Sequence, residues 1–517
     1  MQIDDSFYDI YLSDWDFTRQ SIGVNFGTLS PYTTTEADLI KKLTKAKRGR
    51  FITQMYAGVC AAIGTYSFGM VVGWSSPITY EMLLTSSEGE NATSIENIED
   101  DHYAWIISIT ALGCCMGIFP AFLLLEQIGP RLYMILANFL LIILWGVMAI
   151  VTTYSIFMVV RLMTGFAAVS FLICGETILT DCTTKYYMRY TMMMFNSSMV
   201  LGIVITYVMG GLWGKSKTCT ICCSVCAFHI LLLYFAKDSP VILYARNPVE
   251  AIKALAWYLG KTNIQLKVKQ IKKQHERRRL ESSSDLYKKY LLSSKAVLKG
   301  TLTVFGLIFF EVSSGYYALL FYNVSLFREF QHKDSQYKVL GSIYFGVCLW
   351  IVTVISSYIH YPIPCGVKKP LMISSILITF NLAASALYLT FMEPSIDSRT
   401  HLMVPVILFG TFIICFEAGL SFYPKVFLKD VLPDQVYPLI RSLITFFHWL
   451  MIFFMLRFFF PVGRLIGFSY VYGMLTVVSI ISVIYIRFLV IETTGKSLLQ
   501  IQLELGGNPV GTRTTFN

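Results

Sequence analysis

The feature that most constrains this chain is a succession of long apolar stretches, each bounded by short polar segments. A hydrocarbon core of roughly 30 Å is crossed by about 20 apolar residues in a helix, and inside it every backbone group must find a partner within the chain. The stretches lack the strict alternation of barrel strands, so they predict helices. Candidate spans run from Phe51 to Trp74, Tyr103 to Leu125, Leu132 to Val151, Ile156 to Leu179, Met188 to Leu212 and Cys219 to Phe235. Six more run from Leu298 to Phe321, Tyr337 to Ile359, Pro370 to Phe391, Leu402 to Leu428, Pro438 to Phe460 and Ile466 to Ile491. Only 14% of the 517 residues are charged and mean hydropathy is +0.59, whereas soluble domains carry about 25% charged residues. The expected class is an all-α membrane protein.

The formal charge of +10 does not point to nucleic acid, because the basic residues gather beside the apolar stretches and read as topology. KKLTKAKRGR before the first span places the N-terminal tail, residues 1–50, on the cytoplasmic side. The next loop is acidic with no basic residue and carries the sequon at Asn91, an expected glycosylation site on the outer side. An even number of spans then returns the connecting segment, residues 236–297, to the cytoplasm. Within it NPVEAIKALAWYLG reads as an amphipathic helix under the bundle, and the basic run KVKQIKKQHERRR as contact with lipid headgroups. The C-terminal tail, residues 492–517, is likewise expected to be cytoplasmic. The plasma membrane is the expected location. The first forty residues have no apolar core of the signal-peptide kind, so the first span would itself direct insertion.

Six spans over 51–235 and six over 298–491 suggest two bundles with a site between them at mid-depth. EQIGPR and PCGVKKP follow the second and eighth spans, at corresponding places in the two halves. Ionisable residues within apolar stretches are costly and usually face a cavity or a partner. Glu311 lies in the middle of FFEVSSGYYALLFYNVS, and Glu417 sits where IICFEAGLSFYP is interrupted by glycine and proline. For Arg161 and Arg457 snorkelling is the plainer alternative, and for Glu176 and Lys425 a place nearer the membrane interface. Cys219, Cys222, Cys223 and Cys226 share a helix face, which reads as small-residue packing rather than a metal site. No nucleotide-binding loop, nucleophile elbow or zinc-protease motif occurs, so neither an enzyme nor a cofactor is expected.

Several strings together resemble the sugar porter family of the major facilitator superfamily, in particular its insect trehalose-transporter-like branch. They are GWSSP from Gly73, RLMTG from Arg161, Asp181 with Arg189, KDSP from Lys237, FEAGLSFYP from Phe416 and ETTGKS from Glu492. The resemblance implies twelve transmembrane helices in two six-helix bundles and carriage of a small polar solute, sugar or sugar-like, by alternating access. It implies a substrate site at Asn196, Glu311, Ser314, Tyr317, Tyr322, Glu417, Lys425, His448 and Trp449. It also implies gating groups at Arg131, Arg161, Asp181, Arg189, Lys368, Asp430 and Arg441. Contacts of Arg131 with Asp181 and Arg189, and of Lys368 with Asp430, are expected to link the halves at the cytoplasmic side.

The chain departs from the family pattern at the centre of that site. Glu311 and Val312 stand where the family has two amides, Tyr317 where it has asparagine, Lys425 where it has tryptophan and His448 where it has asparagine. An unpartnered buried polar group costs about 1–3 kcal/mol, so the loss of these amides argues against ordinary recognition of a neutral sugar. Val71 stands where proton-coupled relatives carry a first-span Asp, so that coupling route is expected to be missing, while Glu311 offers another. The alternative to a carrier is a nutrient sensor or receptor that keeps the fold without transport.

Overall fold

The computed structural model describes residues 50–76, 100–259, 267–268, 271–272, 294–331, 338–360, 366–391, 398–433 and 436–506. Asn91, most of the N-terminal tail and most of the basic run of the connecting segment lie outside the described residues. Four helices open the chain: α1 (Phe51–Gly73), α2 (Asp100–Ile128), α3 (Pro130–Ile150) and α4 (Tyr154–Cys182). A continuous helical stretch then covers Lys185–Phe235, but Gly214 interrupts it with φ 69° and ψ −174°. Only glycine adopts that conformation readily, so the stretch is two spans, α5 (185–213) and α6 (215–235).

The short helices α7 (Pro240–Arg246) and α8 (Pro248–Leu259) follow. As the spacing predicts, α8 buries Ala251, Ala254, Leu255 and Tyr258 along one face. It docks at the start of α1, where the Arg50 amide donates to the Tyr258 carbonyl at 3.3 Å. The second half comprises α9 (Lys295–Ser313), α10 (Tyr316–Phe321), α11 (Asn323–Gln331), α12 (Lys338–Ile359), α13 (Lys368–Phe391), α14 (Ser398–Glu417), α15 (Tyr423–Val431), α16 (Tyr437–Ile466) and α17 (Phe468–Leu489). A last short helix, α18 (Leu498–Glu504), begins with a capping box between Ser497 and Gln500.

Ten helices among the described residues are long and apolar enough to cross a membrane. One of them is the α5–α6 pair, and the broken α14–α15 stretch adds another crossing, which makes twelve. The fold class is therefore the expected one, two six-helix bundles.

Lipid tails are as apolar as leucine, so helices in a bilayer gain little by hiding apolar surface and pack closely through small residues instead. That is how the first half is held. A side chain at Gly69 would stand on the Met199 carbonyl and one at Gly202 on the Tyr66 carbonyl, which fixes the crossing of α1 and α5. Gly113 and Gly165 do the same for α2 and α4. Cys219, Cys222 and Cys226 turn into this half's core as small apolar residues, and Cys223 is half-buried.

The two halves repeat one construction at the end that carries α7, α8 and α18, here called the loop end. In the first half the Arg131 amide donates to Asp238 at 3.3 Å, and its guanidinium donates to the Leu233 and Tyr234 carbonyls at the end of α6, at 2.8 and 2.7 Å. In the second, the Val367 and Lys368 amides donate to Glu492 at 2.8 and 3.2 Å, and the Lys368 ammonium donates to the Arg487 carbonyl near the end of α17 at 2.8 Å. A cation at a helix C-terminus meets the negative end of the helix dipole and its unpaired carbonyls. Asp181 accepts the Ser239 hydroxyl, and Asp430 accepts that of Thr493 at 2.7 Å. The acids of KDSP and ETTGKS thus tie down the loops after the second and eighth spans.

Gly129 makes the first of these loops possible. Its φ of 84° with ψ of 153° belongs to glycine almost alone, and a side chain there would run into the Asp238 carboxylate. Gly129→Ala is expected to cost about 1–3 kcal/mol and lower the melting temperature of the purified protein. Gly473→Ala, which meets open space, is the control and should leave it unchanged.

Candidate functional site

The seventh and tenth spans are both broken at mid-depth, and the breaks position the site. Between α9 and α10, Gly315 takes the left-handed conformation with φ 90°. Its amide donates to Val312 rather than to Glu311, and the Ser314 hydroxyl supplies the missing bond to the Glu311 carbonyl at 2.7 Å. Between α14 and α15 the amides of Gly419 and Ser421 both turn to the Phe416 carbonyl. There Ser356 donates to the Glu417 carbonyl at 2.9 Å, and His360 Nε2 lies 3.2 Å from it. Tyr316 stacks on Phe416 with centroids 4.1 Å apart and so locks the two breaks together.

Two of the other expected residues, Tyr317 and His448, meet at Glu311, and two more, Glu417 and Lys425, act on it through their charge. Glu311 is 1% exposed. Its Oε1 accepts the Tyr317 hydroxyl at 3.3 Å and lies 3.6 Å from His448 Nε2. Tyr317 Oη is 2.9 Å from the same nitrogen, so the phenol bridges acid and imidazole. Glu311 Oε2 is buried without a hydrogen-bond partner among the described residues. Lys425 is exposed, and its charge acts on both Glu311 and Glu417. The cluster therefore sets two buried carboxyls against one ammonium group.

The other expected substrate residues are placed differently. Ser314 is occupied at the helix break and backs onto a small cavity shared with Ser375, Ser479 and Ser482, inside the second half. Tyr322 is fully buried, donates to the Leu456 carbonyl at 2.7 Å and stacks on Phe460. It packs edge-on to Tyr103 of α2, which makes it part of a seal between the halves. Trp449 meets Phe68 of α1 across the seam, and Asn196 lies 3.5 Å from Ser357 of α12.

The halves are stitched at the end opposite the loop end. Tyr103 Oη lies 2.6 Å from Ser325 Oγ, and the Val324 amide donates to Ser76 at 3.0 Å. Tyr207 donates to the Leu320 carbonyl, and Arg457 pairs with Asp101 at 2.6 Å while lying over the Trp105 ring. Among the described residues, the expected links at the loop end are not formed. Arg131, Asp181, Lys368 and Asp430 are held within their own halves by the repeated construction described above. Arg189 does cross, but it lies over the Tyr358 ring rather than beside Asp181. Among the described residues, an ion pair between Arg441 and Glu176 joins the halves there.

The loop carboxyls fit this account. Burial pushes the Asp238 carboxyl up, against the pull of the Ser239 and Arg131 amides and the Arg131 charge. Burial would raise Glu492 too, but the Val367, Thr494 and Lys368 amides outweigh it and hold that carboxyl below the ordinary range. Neither acid stood out as a gating group in the sequence, although each directly follows the last span of its half.

Arg161 does not snorkel. It is fully buried, donates to the Val71 carbonyl at 3.3 Å and to the Ser75 hydroxyl, and lies over the Trp74 ring. The position expected for a first-span acid is thus the one Arg161 reaches, and it finds a backbone carbonyl. Arg457 is likewise paired rather than drawn toward headgroups.

A family profile described as Sugar (and other) transporter matches residues 57–505. The chain belongs to that family. It is 26% identical over 463 residues to the facilitated trehalose transporter Tret1 of Anopheles gambiae, a match covering 88% of this chain and 56% of that protein. To Tret1 of Culex quinquefasciatus it is 26% identical over 460 residues, covering 87% and 86% respectively. The chain thus spans little more than half the length of the Anopheles relative. Among solved structures it is similar to the xylose transporter XylE from E. coli in an inward-open conformation, with a TM-score of 0.70 at 16% identity over 88% of this chain and 100% of that one. That likeness is one of fold.

Proposed function

We propose that this protein carries a small polar, sugar-like solute across a membrane by alternating access. The observation that carries the reading is the position of the Glu311, Tyr317 and His448 cluster. It sits on a broken helix at mid-depth, between halves that are sealed at one end and, at the other, joined by the Arg441–Glu176 pair and by Arg189 over Tyr358. Parting there would break the Arg441–Glu176 pair, while Arg131, Asp181, Lys368 and Asp430 would keep the bonds they make within their own halves. The relatives named for trehalose transport support a sugar-like cargo, while the ionisable groups in place of amides favour one that differs from trehalose. Glu311, Tyr317, Glu417, Lys425 and His448 would contact it, with Asn196 and Trp449 at the seam. The basic segment before α1 supports cytoplasmic termini and a glycosylated outer loop at Asn91, with the plasma membrane as the location.

The test is counterflow in vesicles reconstituted with the full chain, using labelled hexoses, disaccharides and polyols. Saturable exchange of at least one of them is expected. A chain that binds such a solute but exchanges none would be a sensor, and the carrier reading would be wrong.

A further inference from the structure

We propose that Glu311, Tyr317 and His448 form a proton-binding relay, so that movement of the solute is coupled to movement of a proton. The inference rests on the carrier reading, and it begins from charge. Glu311 and Glu417 are both buried, at 1% and 7% exposure, and one cation, Lys425, acts on both. With all three groups charged, one negative charge remains uncompensated in an apolar interior, where an unpaired ion is very costly. One bound proton removes that charge.

The geometry names where the proton sits and how it moves. The carboxyl oxygen that can exchange a proton is Glu311 Oε1, which lies 3.3 Å from the Tyr317 hydroxyl, while Oε2 is buried with no hydrogen-bond partner among the described residues. Tyr317 has a single hydroxyl proton but lies within reach of both Glu311 Oε1, at 3.3 Å, and His448 Nε2, at 2.9 Å. When Glu311 is protonated it can pass its proton to the Tyr317 oxygen while Tyr317 gives its own to His448. One O–H bond breaks at Glu311 and one forms at Tyr317, one O–H breaks at Tyr317 and one N–H forms at His448. The phenol ends as it began, and a carboxylate faces an imidazolium.

The remaining groups acting on the relay are Tyr316 of α10, Glu417 of α14 and Lys425 of α15, with Tyr207 of α5 acting on Tyr316. The side chain of His448 is 12% exposed and that of Glu311 only 2%, so the imidazole is the end of the relay in reach of water. Arg161 takes no part, since it is turned to Val71 and Ser75 in the first half.

Two measurements test this. The first is uptake of labelled glucose and trehalose into vesicles carrying the full chain, at equal pH and with an inward proton gradient of about tenfold. One proton per solute allows accumulation of up to about tenfold, abolished by a protonophore. In Glu311→Gln and His448→Gln the ratio of gradient-driven to equal-pH uptake should fall to about one, whatever their absolute rates. Exchange that ignores the gradient in the wild type would overturn the relay and leave the carrier reading standing.

The second measurement needs no transport. Infrared difference spectra of the purified chain between acid and alkaline pH should show a carboxylic acid band that Glu311→Gln removes and Glu417→Gln does not. If neither sugar exchanges, the carrier reading fails for those sugars and the band alone decides the proton site. A spectrum unchanged by Glu311→Gln would overturn it.

Discussion

Reversing one charge at the loop end, Arg441→Glu, is expected to reduce exchange several-fold, and the double variant with Glu176→Arg is expected to recover much of it. In the structure this pair ties α16 to α4 across the seam, with side chains 33% and 40% exposed. Such exposure limits the attraction to about 0.2–1 kcal/mol after solvent screening. Reversal replaces attraction by repulsion, so the total change is roughly 0.4–2 kcal/mol, which moves a balanced two-state equilibrium about twofold to thirtyfold. The expected direction is toward the form open at the loop end, because the pair exists only while the two helices are close there. Labelling of a single cysteine introduced at the seam would report the shift, with faster modification in Arg441→Glu than in the wild type. Equal rates, together with unchanged exchange, would mean that the pair is a passive surface contact.

Arg457 provides the comparison. It lies sixteen residues along the same helix, about 24 Å from Arg441 at 1.5 Å per residue, and pairs with Asp101 at the sealed end. One helix of the second half therefore carries a link to the first half near each end. Alternating access requires that the two be released in turn rather than together.

Arg161→Ala is expected to destabilise the protein by about 3 kcal/mol or more, since truncating a large buried side chain leaves a cavity. It would also strip the donor from the Val71 carbonyl and the Ser75 hydroxyl, and the cation from over the Trp74 ring. Arg161→Met fills most of the same volume and removes the cost of a buried charge, so it should lose much less. A melting temperature that falls sharply for Ala and little for Met would assign the residue to packing. A comparable fall for both would show that the guanidinium's own bonds hold α4 to α1. An Ala variant as stable as the wild type would contradict the burial seen here.

The amphipathic helix in the connecting segment was legible because periodicity is a local property, and α8 buries the face that its spacing marks. The break beyond Glu417 was legible because glycine and proline interrupt an apolar run there. The place of Glu311 was readable as well, and the family resemblance set Tyr317, Lys425 and His448 in one site with it, but which of their atoms would meet was not readable. Nothing in its neighbourhood in the sequence announces His448, 131 residues beyond Tyr317.

By itself the sequence determined that the chain crosses a membrane about twelve times in two equal sets. Hydrophobic length is counted along one dimension, and a bilayer leaves few other options. Only the tertiary structure decided which charges meet. Glu176 and Arg441 are 265 positions apart, Asp101 and Arg457 are 356, and the Arg131 guanidinium goes to the Leu233 and Tyr234 carbonyls rather than to Asp181. An ion pair requires two groups within a few ångströms, and that distance is set by helix crossings fixed at glycines such as Gly69 and Gly202. Those crossings are a property of the packed bundle, which no single stretch of the chain contains.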